Sequence, residues 1–291
     1  MKLVEQFFPV CDYDLAATLA SGQAFRWKEI DGSWEGVIGE NWVRLKQEVD
    51  GILAQTVCLK AGQASCLSCF DWLRDYLQID ADLSVILRSF PLDDVPLQTA
   101  VTSCRGLRLL RQDPWECLAS FILSSTKQIV QIQQIVSLLC ERFGKPLAVP
   151  ENHPPVFSFP SAERLATCTE QELRDCKMGF RAPNLLATAK MVSNGEIHLQ
   201  SLYALPLEKA RAELVALPGV GKKIADCVLL FAYGFPQAFP IDVWILKALR
   251  QLYFPKRKPT AKRLLHFSQT HFGPNAGYAQ QYLFHYMRTK I

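Results

Sequence analysis

Acidic residues are missing from the C-terminal stretch of this chain. After Asp242 there is neither Asp nor Glu, while Lys247, Arg250, Lys256, Arg257, Lys258, Lys262, Arg263, Arg288 and Lys290 follow. The formal net charge is only +4, so everything up to Asp242 is net acidic and the basic excess is concentrated in one segment. Such one-sidedness favours a polyanionic partner, with a solvated basic face as an equal alternative on charge alone. Also missing is an apolar run of the roughly 18 residues that a membrane helix needs, so no membrane association is expected. The opening Met1-Lys2-Leu3-Val4-Glu5 lacks the apolar core and small-residue cleavage site of a secretory leader. The expectation is an intracellular protein, in cytoplasm or nucleoid if bacterial and in nucleus or mitochondrion if eukaryotic. Cysteine is absent beyond Cys227, which excludes a C-terminal four-cysteine cluster. The ten cysteines are scattered, and Cys117, Cys140, Cys176 and Cys227 fall in apolar helical patterns, as buried thiols do. Cys66 and Cys69 form the one CxxC pair; no second pair at ligand spacing lies near it, so zinc is not expected. Repeats and low-complexity segments are absent too.

What is present is a globular composition: 49% hydrophobic and 21% charged residues over 291 positions, enough for two medium domains. Phe25 to Ile30, Trp34 to Val37 and Trp42 to Leu45 carry aromatic and β-branched residues. Turn signals at Asp31-Gly32, Gly39-Glu40-Asn41 and Asp50-Gly51 separate and follow them, which predicts an antiparallel sheet. Helical patterns follow from about Cys66 to Ser89. From Gln112 onward the signals are helical. Asp113-Pro114-Trp115-Glu116 and Thr169-Glu170-Gln171-Glu172 are helix starts, and Ile129, Ile132, Ile135, Leu139 and Phe143 mark one helical face that Gly144 and Pro146 end. Pro183 to Asn194, closed by Gly195, is a further helix. The fold class is α+β: residues 1–104 form an N-terminal domain with an antiparallel sheet, and residues 105–291 a larger all-α domain.

The most informative stretch runs from Leu205 to Leu252. An amphipathic helix over Glu208 to Leu217 meets Leu217-Pro218-Gly219-Val220-Gly221, and a second helix starts near Lys222. Two helices joined by Gly-x-Gly form a helix-hairpin-helix. The glycines let backbone approach a phosphate, and the N–H groups of the next helix start receive it without reading sequence. Lys222 and Lys223 stand at the positive end of the second helix, where the dipole and the adjacent cation favour a neutral amine able to attack carbon. Two phosphate-binding lysines are the alternative. Asp242, before an apolar helical pattern, suits an N-cap; a carboxylate there could also stabilise positive charge developing on a sugar.

These stretches, with Pro236 to Val243, resemble the helix-hairpin-helix Gly/Pro/Asp DNA glycosylase superfamily, and most closely its 8-oxoguanine DNA glycosylase/lyases. Ser21-Gly22-Gln23-Ala24-Phe25-Arg26-Trp27, Leu109 to Cys117, Ser120 to Ser125 and Gly273 to Gln280 match the same family in order, so the likeness spans nearly the whole chain. The resemblance implies double-stranded DNA containing 8-oxoguanine as partner, a monomer, and chemistry without a required cofactor. It makes Lys223 the nucleophile that attacks C1′ and forms an imine, and Asp242 the carboxylate that stabilises the cationic transition state. Backbone carbonyls of Val215, Leu217 and Val220 would hold a structural monovalent or divalent cation. A base must leave the duplex to be reached. Cys227 and Phe284 would sandwich it, Pro240 would line the pocket, Gln280 would bond its Watson–Crick edge, and the Gly22 carbonyl would accept the N7 proton that guanine lacks.

The DNA-binding set implied is Gly219, Val220, Gly221, Lys222, Trp244, Thr126, Gln131, Phe180 and Arg181. Several of these depart from the family. Thr126-Lys127-Gln128 stands where asparagines are common and Gln131 where an arginine is, which puts the preference for cytosine opposite the lesion in doubt. Phe180 replaces a tyrosine wedge, and Trp244 a phosphate-binding histidine. Three other readings remain: a non-enzymatic helix-hairpin-helix module, a monofunctional glycosylase for alkylated bases, and a cluster-containing relative acting on oxidised pyrimidines. Lys223 and Asp242 argue against the first, Lys223 against the second, and the cysteine-free C-terminus against the third.

Overall fold

The computed structural model describes residues 2–58, 70–125, 127–256 and 259–289. Cys66, Cys69 and Thr126 lie outside them. The first element is a strand without an early turn signal to announce it: β1 (Lys2–Pro9), followed by a short helix α1 (Leu15–Ala20) capped by Asp14. Four strands follow, β2 (Lys28–Ile30), β3 (Ser33–Ile38), β4 (Asn41–Glu48) and β5 (Gly51–Cys58). They make one antiparallel sheet in the order β1-β5-β4-β3-β2. Strand β2 starts at Lys28, three residues later than the alternation from Phe25 suggests. Phe25 and Trp27 are instead buried in the approach to the sheet, where their large apolar rings contribute packing rather than ladder pairing.

The register follows from period-two burial. Val43, Leu45, Ile52 and Ala54 are fully buried, and Val43 faces Thr56 while Leu45 faces Ala54. Val4 and Phe8 extend the same face from β1. Helix α2 (Asp71–Leu77) covers it with Leu73 and Leu77. Two further helices, α3 (Leu83–Arg88) and α4 (Val95–Ser103), point the other way and put Leu83 and Leu97 into the core of the helical domain. Helix α1 serves both: Leu15 and Leu19 face the sheet core, and Ala17 the helical one.

The helical domain is built around α5 (Pro114–Leu123), in which eight of ten residues are buried and Asp113 caps the Glu116 amide. Around it lie α6 (Ile129–Phe143), α7 (Ala162–Ala166), α8 (Glu170–Leu173), α9 (Ala182–Ser193), α10 (Leu207–Val215), α11 (Lys222–Phe231), α12 (Val243–Ala248), α13 (Ala261–Thr270) and α14 (Ala276–Thr289). Thr169 and Glu172 form the expected reciprocal cap, and α6 ends at Phe143 before Gly144. Phe121 of α5 stacks on Phe231 of α11 with centroids 5.7 Å apart, and Phe25 meets Phe121 edge-on at 5.4 Å. These rings fix α11, and thus the lysine-bearing helix start, against the centre of the domain. Among the described residues no helix is long and apolar enough to cross a membrane.

Candidate active site

The turn between α10 and α11 is the predicted hairpin. Gly219 has φ +77°, a conformation glycine adopts without penalty, and a Cβ there would come within 2.7 Å of the Asn184 amide. Val220 donates its N–H to the Leu217 carbonyl at 3.1 Å, closing the turn. A Cβ on Gly221 would meet nothing within 4 Å, so the space in front of the first amides of α11 is open. The two helices are clamped behind the turn by a buried ion pair, Arg211 Nε to Asp226 Oδ1 at 2.6 Å.

In front of α11 lies a cavity of about 880 Å³. Lys223, Cys227, Asp242, Pro240, Gly22, Gln280, Phe284 and Trp244 all line it, as do Gly219 and Gly221 at its mouth. Lys223 is partly exposed and donates Nζ–H to Ser124 Oγ at 3.2 Å; that hydroxyl donates on to the Phe121 carbonyl at 2.7 Å. Lys222 is exposed and does not line the cavity. One position along a helix turns a side chain by about 100°, and this separates the two lysines. Asp242 caps α12, accepting the Ile245 N–H at 2.8 Å. Burial raises its carboxyl above the ordinary aspartate range, and the Ile245 amide and the charge of Lys223 oppose that rise. Cys227, one turn beyond Lys223, is buried, and desolvation pushes its thiol up to about 12. It is therefore a neutral apolar wall.

The opposite wall is α14. Gln280, Phe284 and Arg288 lie on successive turns of one face. Gln280 is buried, and its Oε1 accepts no hydrogen bond among the described residues. Neighbouring Gln281 donates Nε2–H to the Ser21 carbonyl at 3.0 Å, which fastens α14 to the turn holding Gly22. Gly22 itself has φ +76°, and a Cβ there would meet Ile129 Cδ1 at 2.6 Å.

Some predicted contact residues lie elsewhere. Phe180 is 60% exposed on a turn that Lys177 and Gly179 enter with positive φ. Arg181 is buried: its guanidinium sits 4.2 Å from the Phe180 ring and donates to the Met178 and Ser125 carbonyls. Gln131 is exposed and accepts the Gln128 N–H at 3.2 Å in the cap of α6. Neither Gln131, Phe180 nor Arg181 lines the cavity; nor do Val215, Leu217 and Val220. The sequence alone assigns no role to Ser124, Gln281 or Arg288. The four-residue spacing from Gln280 through Phe284 to Arg288 was the available signal for the last.

Two helices joined by an open glycine turn, with a lysine and a carboxylate lining a cavity roomy enough for a purine, define a base-excision DNA glycosylase. Residues 7–118 match the N-terminal domain of 8-oxoguanine DNA glycosylase, and residues 119–273 the HhH-GPD superfamily of base excision DNA repair proteins. A probable N-glycosylase/DNA lyase of Methanothermobacter thermautotrophicus is 29% identical over 96% of this chain and 95% of its own. The N-glycosylase/DNA lyase OGG1 of Arabidopsis thaliana is 31% identical over 93% of this chain and 76% of its own. The solved structure of MBOgg1 in complex with a low affinity DNA ligand superposes with a TM-score of 0.90 at 34% identity, covering 99% of each chain. That of Clostridium acetobutylicum 8-oxoguanine glycosylase/lyase, in complex with dsDNA containing cytosine opposite 8-oxoG, gives 0.86 at 29%, covering 97% of each. The chain belongs to the 8-oxoguanine DNA glycosylase family of the HhH-GPD superfamily.

Proposed function

We propose that the chain acts on double-stranded DNA as a bifunctional 8-oxoguanine glycosylase and AP lyase in base excision repair, with Lys223 as nucleophile. The observation that carries this reading is the shared cavity: Lys223 and Asp242 open onto the space that Cys227 and Phe284 flank. In the first step the Lys223 amine bonds to C1′, the C1′–N9 bond breaks, and its electron pair leaves with the base. Loss of the nitrogen proton and opening of the sugar give an imine. Removal of a C2′ proton then expels the 3′ phosphate by β-elimination. The Asp242 carboxylate faces the sugar carbon as it becomes electron-poor, and a fixed negative charge there stabilises the transition state more than the ground state.

Gly22, Pro240 and Gln280 complete the base pocket in this reading. Gly219, Val220, Gly221 and Lys222 grip the phosphate backbone from the hairpin, with Trp244 beside them. Phe180, exposed on its strained turn, fills the gap that a flipped base leaves. The carbonyls of Val215, Leu217 and Val220 are a neutral donor set without a carboxylate, which suits a singly charged structural cation better than a divalent one.

The test is borohydride trapping on a duplex containing 8-oxoguanine. The wild type and Lys222→Gln should form a covalent protein–DNA adduct, and Lys223→Gln should form none. An adduct that survives in Lys223→Gln overturns the assignment of the nucleophile.

A further inference from the structure

One group in the cavity has no part in the chemistry described so far. Arg288 stands in the last turn of α14, eight residues after Gln280 and four after Phe284. Its guanidinium lies 5.4 Å from the centroid of the Phe284 ring, the wall on which a flipped base stacks. An ideal Cβ at Gly22 would be 3.4 Å from Nη1, which puts that nitrogen beside the turn assigned to the base's imidazole edge. Nη1 is sealed from solvent and donates to nothing among the described residues. Burial lowers the guanidinium's hold on its proton, and the charge of Asp242 counters this.

Buried charged donors are nearly always hydrogen-bonded, because leaving one unpaired forfeits its hydration without return. An orphaned donor that lines a cavity is explained if the missing acceptor arrives with the ligand. Gln280 Oε1, two turns away on the same helix face, is an orphaned acceptor lining the same cavity. The pair presents one cationic donor and one neutral acceptor to whatever enters. An oxidised purine offers carbonyl oxygens and N–H groups along its edge, and its ring system becomes an anion when C1′–N9 breaks.

We propose that Arg288 is a substrate-contacting residue of the glycosylase step: its guanidinium shifts on base entry so that an N–H donates to a carbonyl oxygen of the flipped oxopurine and takes up part of the negative charge that the base gains as it leaves. The proposal rests on the base pocket assigned above. No bond forms or breaks at Arg288; the C1′–N9 electron pair stays on the base, and the guanidinium remains protonated throughout. A charge-assisted hydrogen bond that strengthens as charge develops raises the rate of bond cleavage more than the affinity for the intact duplex.

The consequence is a separation of the two activities. In β-elimination at an abasic site there is no base in the pocket, so the proposed contact of Arg288 with the base is not made. Single-turnover excision of 8-oxoguanine should fall about 100-fold in Arg288→Met, the scale expected for losing one donor to a developing anion. Arg288→Lys, which keeps the charge and loses the fork, should recover part of it. Cleavage of a duplex already carrying an abasic site should fall far less than excision in both variants. Unchanged excision in Arg288→Met overturns the proposal. A parallel fall in excision and abasic-site cleavage also overturns it, because that would assign Arg288 to support of α14 or of Lys223. The reading of the nucleophile is tested apart from this, since borohydride adduct formation on the abasic duplex depends on Lys223 and not on Arg288.

Discussion

In the proposed mechanism Asp242 has two roles that conflict. As N-cap of α12 it accepts the Ile245 amide, a role an asparagine fills about as well. In the cavity it shares the lining with Lys223, Arg288 and the neutral thiol of Cys227, and burial raises its pKa from the ordinary value. A carboxyl whose folded pKa lies above its unfolded one binds its proton more tightly in the folded chain. It favours the folded state most below the unfolded pKa, and that contribution is lost as pH rises through the folded pKa. Above the folded pKa the charge is therefore carried at a cost to stability. Asp242→Asn should raise the melting temperature at pH 7 while slowing single-turnover excision by roughly 100-fold. The stability difference should shrink as pH falls toward the acid range. In the wild type, the acid limb of the excision rate should lie above the pH at which a free aspartate titrates. Calorimetry and rate measurements across pH check both limbs; a melting temperature lower in Asp242→Asn than in the wild type would show that the carboxylate stabilises the fold.

Among elements, the hairpin was the most legible and the sheet edge the least. Leu217 to Lys223 announces itself because a turn with two glycines between amphipathic helices has few other uses. Strand β1 gives no such signal: Lys2 to Pro9 alternates only weakly and pairs with β5, more than forty positions away, and pairing at that distance leaves no local mark. The same reason hid Arg288, whose partner surface comes from the Gly22 turn at the other end of the chain. Arg181 shows a different limit. Its identity is visible in the sequence, but not that its guanidinium turns inward to the Met178 and Ser125 carbonyls. At this scale the ion pair between α10 and α11 is what keeps the hairpin shut. Arg211 and Asp226 are both buried; Arg211 also pairs with the exposed Glu208, but Asp226 has Arg211 as its ion-pair partner among the described residues, and removing Arg211 leaves that carboxyl buried without it. Arg211→Met should lower stability by about 3 kcal/mol in chemical denaturation, the usual result of orphaning a buried charge. Because the hairpin would open before the domain does, binding of undamaged duplex should weaken at temperatures where the chain is still folded. A variant as stable as the wild type would show that packing alone closes the hairpin.

At the scale of the whole molecule the question is what makes a sheet domain and a helical domain act on one base. The seam is polar and buried, and Gln23 is its centre. Its Nε2 donates to the Thr18 carbonyl at 3.0 Å and the Arg108 carbonyl at 2.8 Å, and its Oε1 accepts the Leu110 N–H at 2.8 Å. Its own carbonyl accepts from Gln112 Nε2 at 2.7 Å, and the Gln112 amide donates to the Phe231 carbonyl at the end of α11. A chain of hydrogen bonds thus runs from the helix that carries Lys223 to the turn that carries Gly22, and Gln281 ties the same turn to α14. Three elements far apart in sequence are held in one register around the cavity, which the proposed discrimination by a single carbonyl at Gly22 would demand. Gln23→Leu keeps the side-chain volume nearly constant and strips the seam of its donor and acceptor. The Arg108 carbonyl and Leu110 amide are then buried without partners, and unfolding free energy should fall by about 2–4 kcal/mol. The functional signature should be larger than the stability loss suggests. With the Gly22 turn free to shift, excision of 8-oxoguanine should slow while cleavage at an abasic site, which in the proposed mechanism uses Lys223 but no base pocket, should hold. Competition between 8-oxoguanine and guanine duplexes should also become less selective. If selectivity and excision in Gln23→Leu match the wild type below its melting temperature, the two domains do not need this seam to share a substrate.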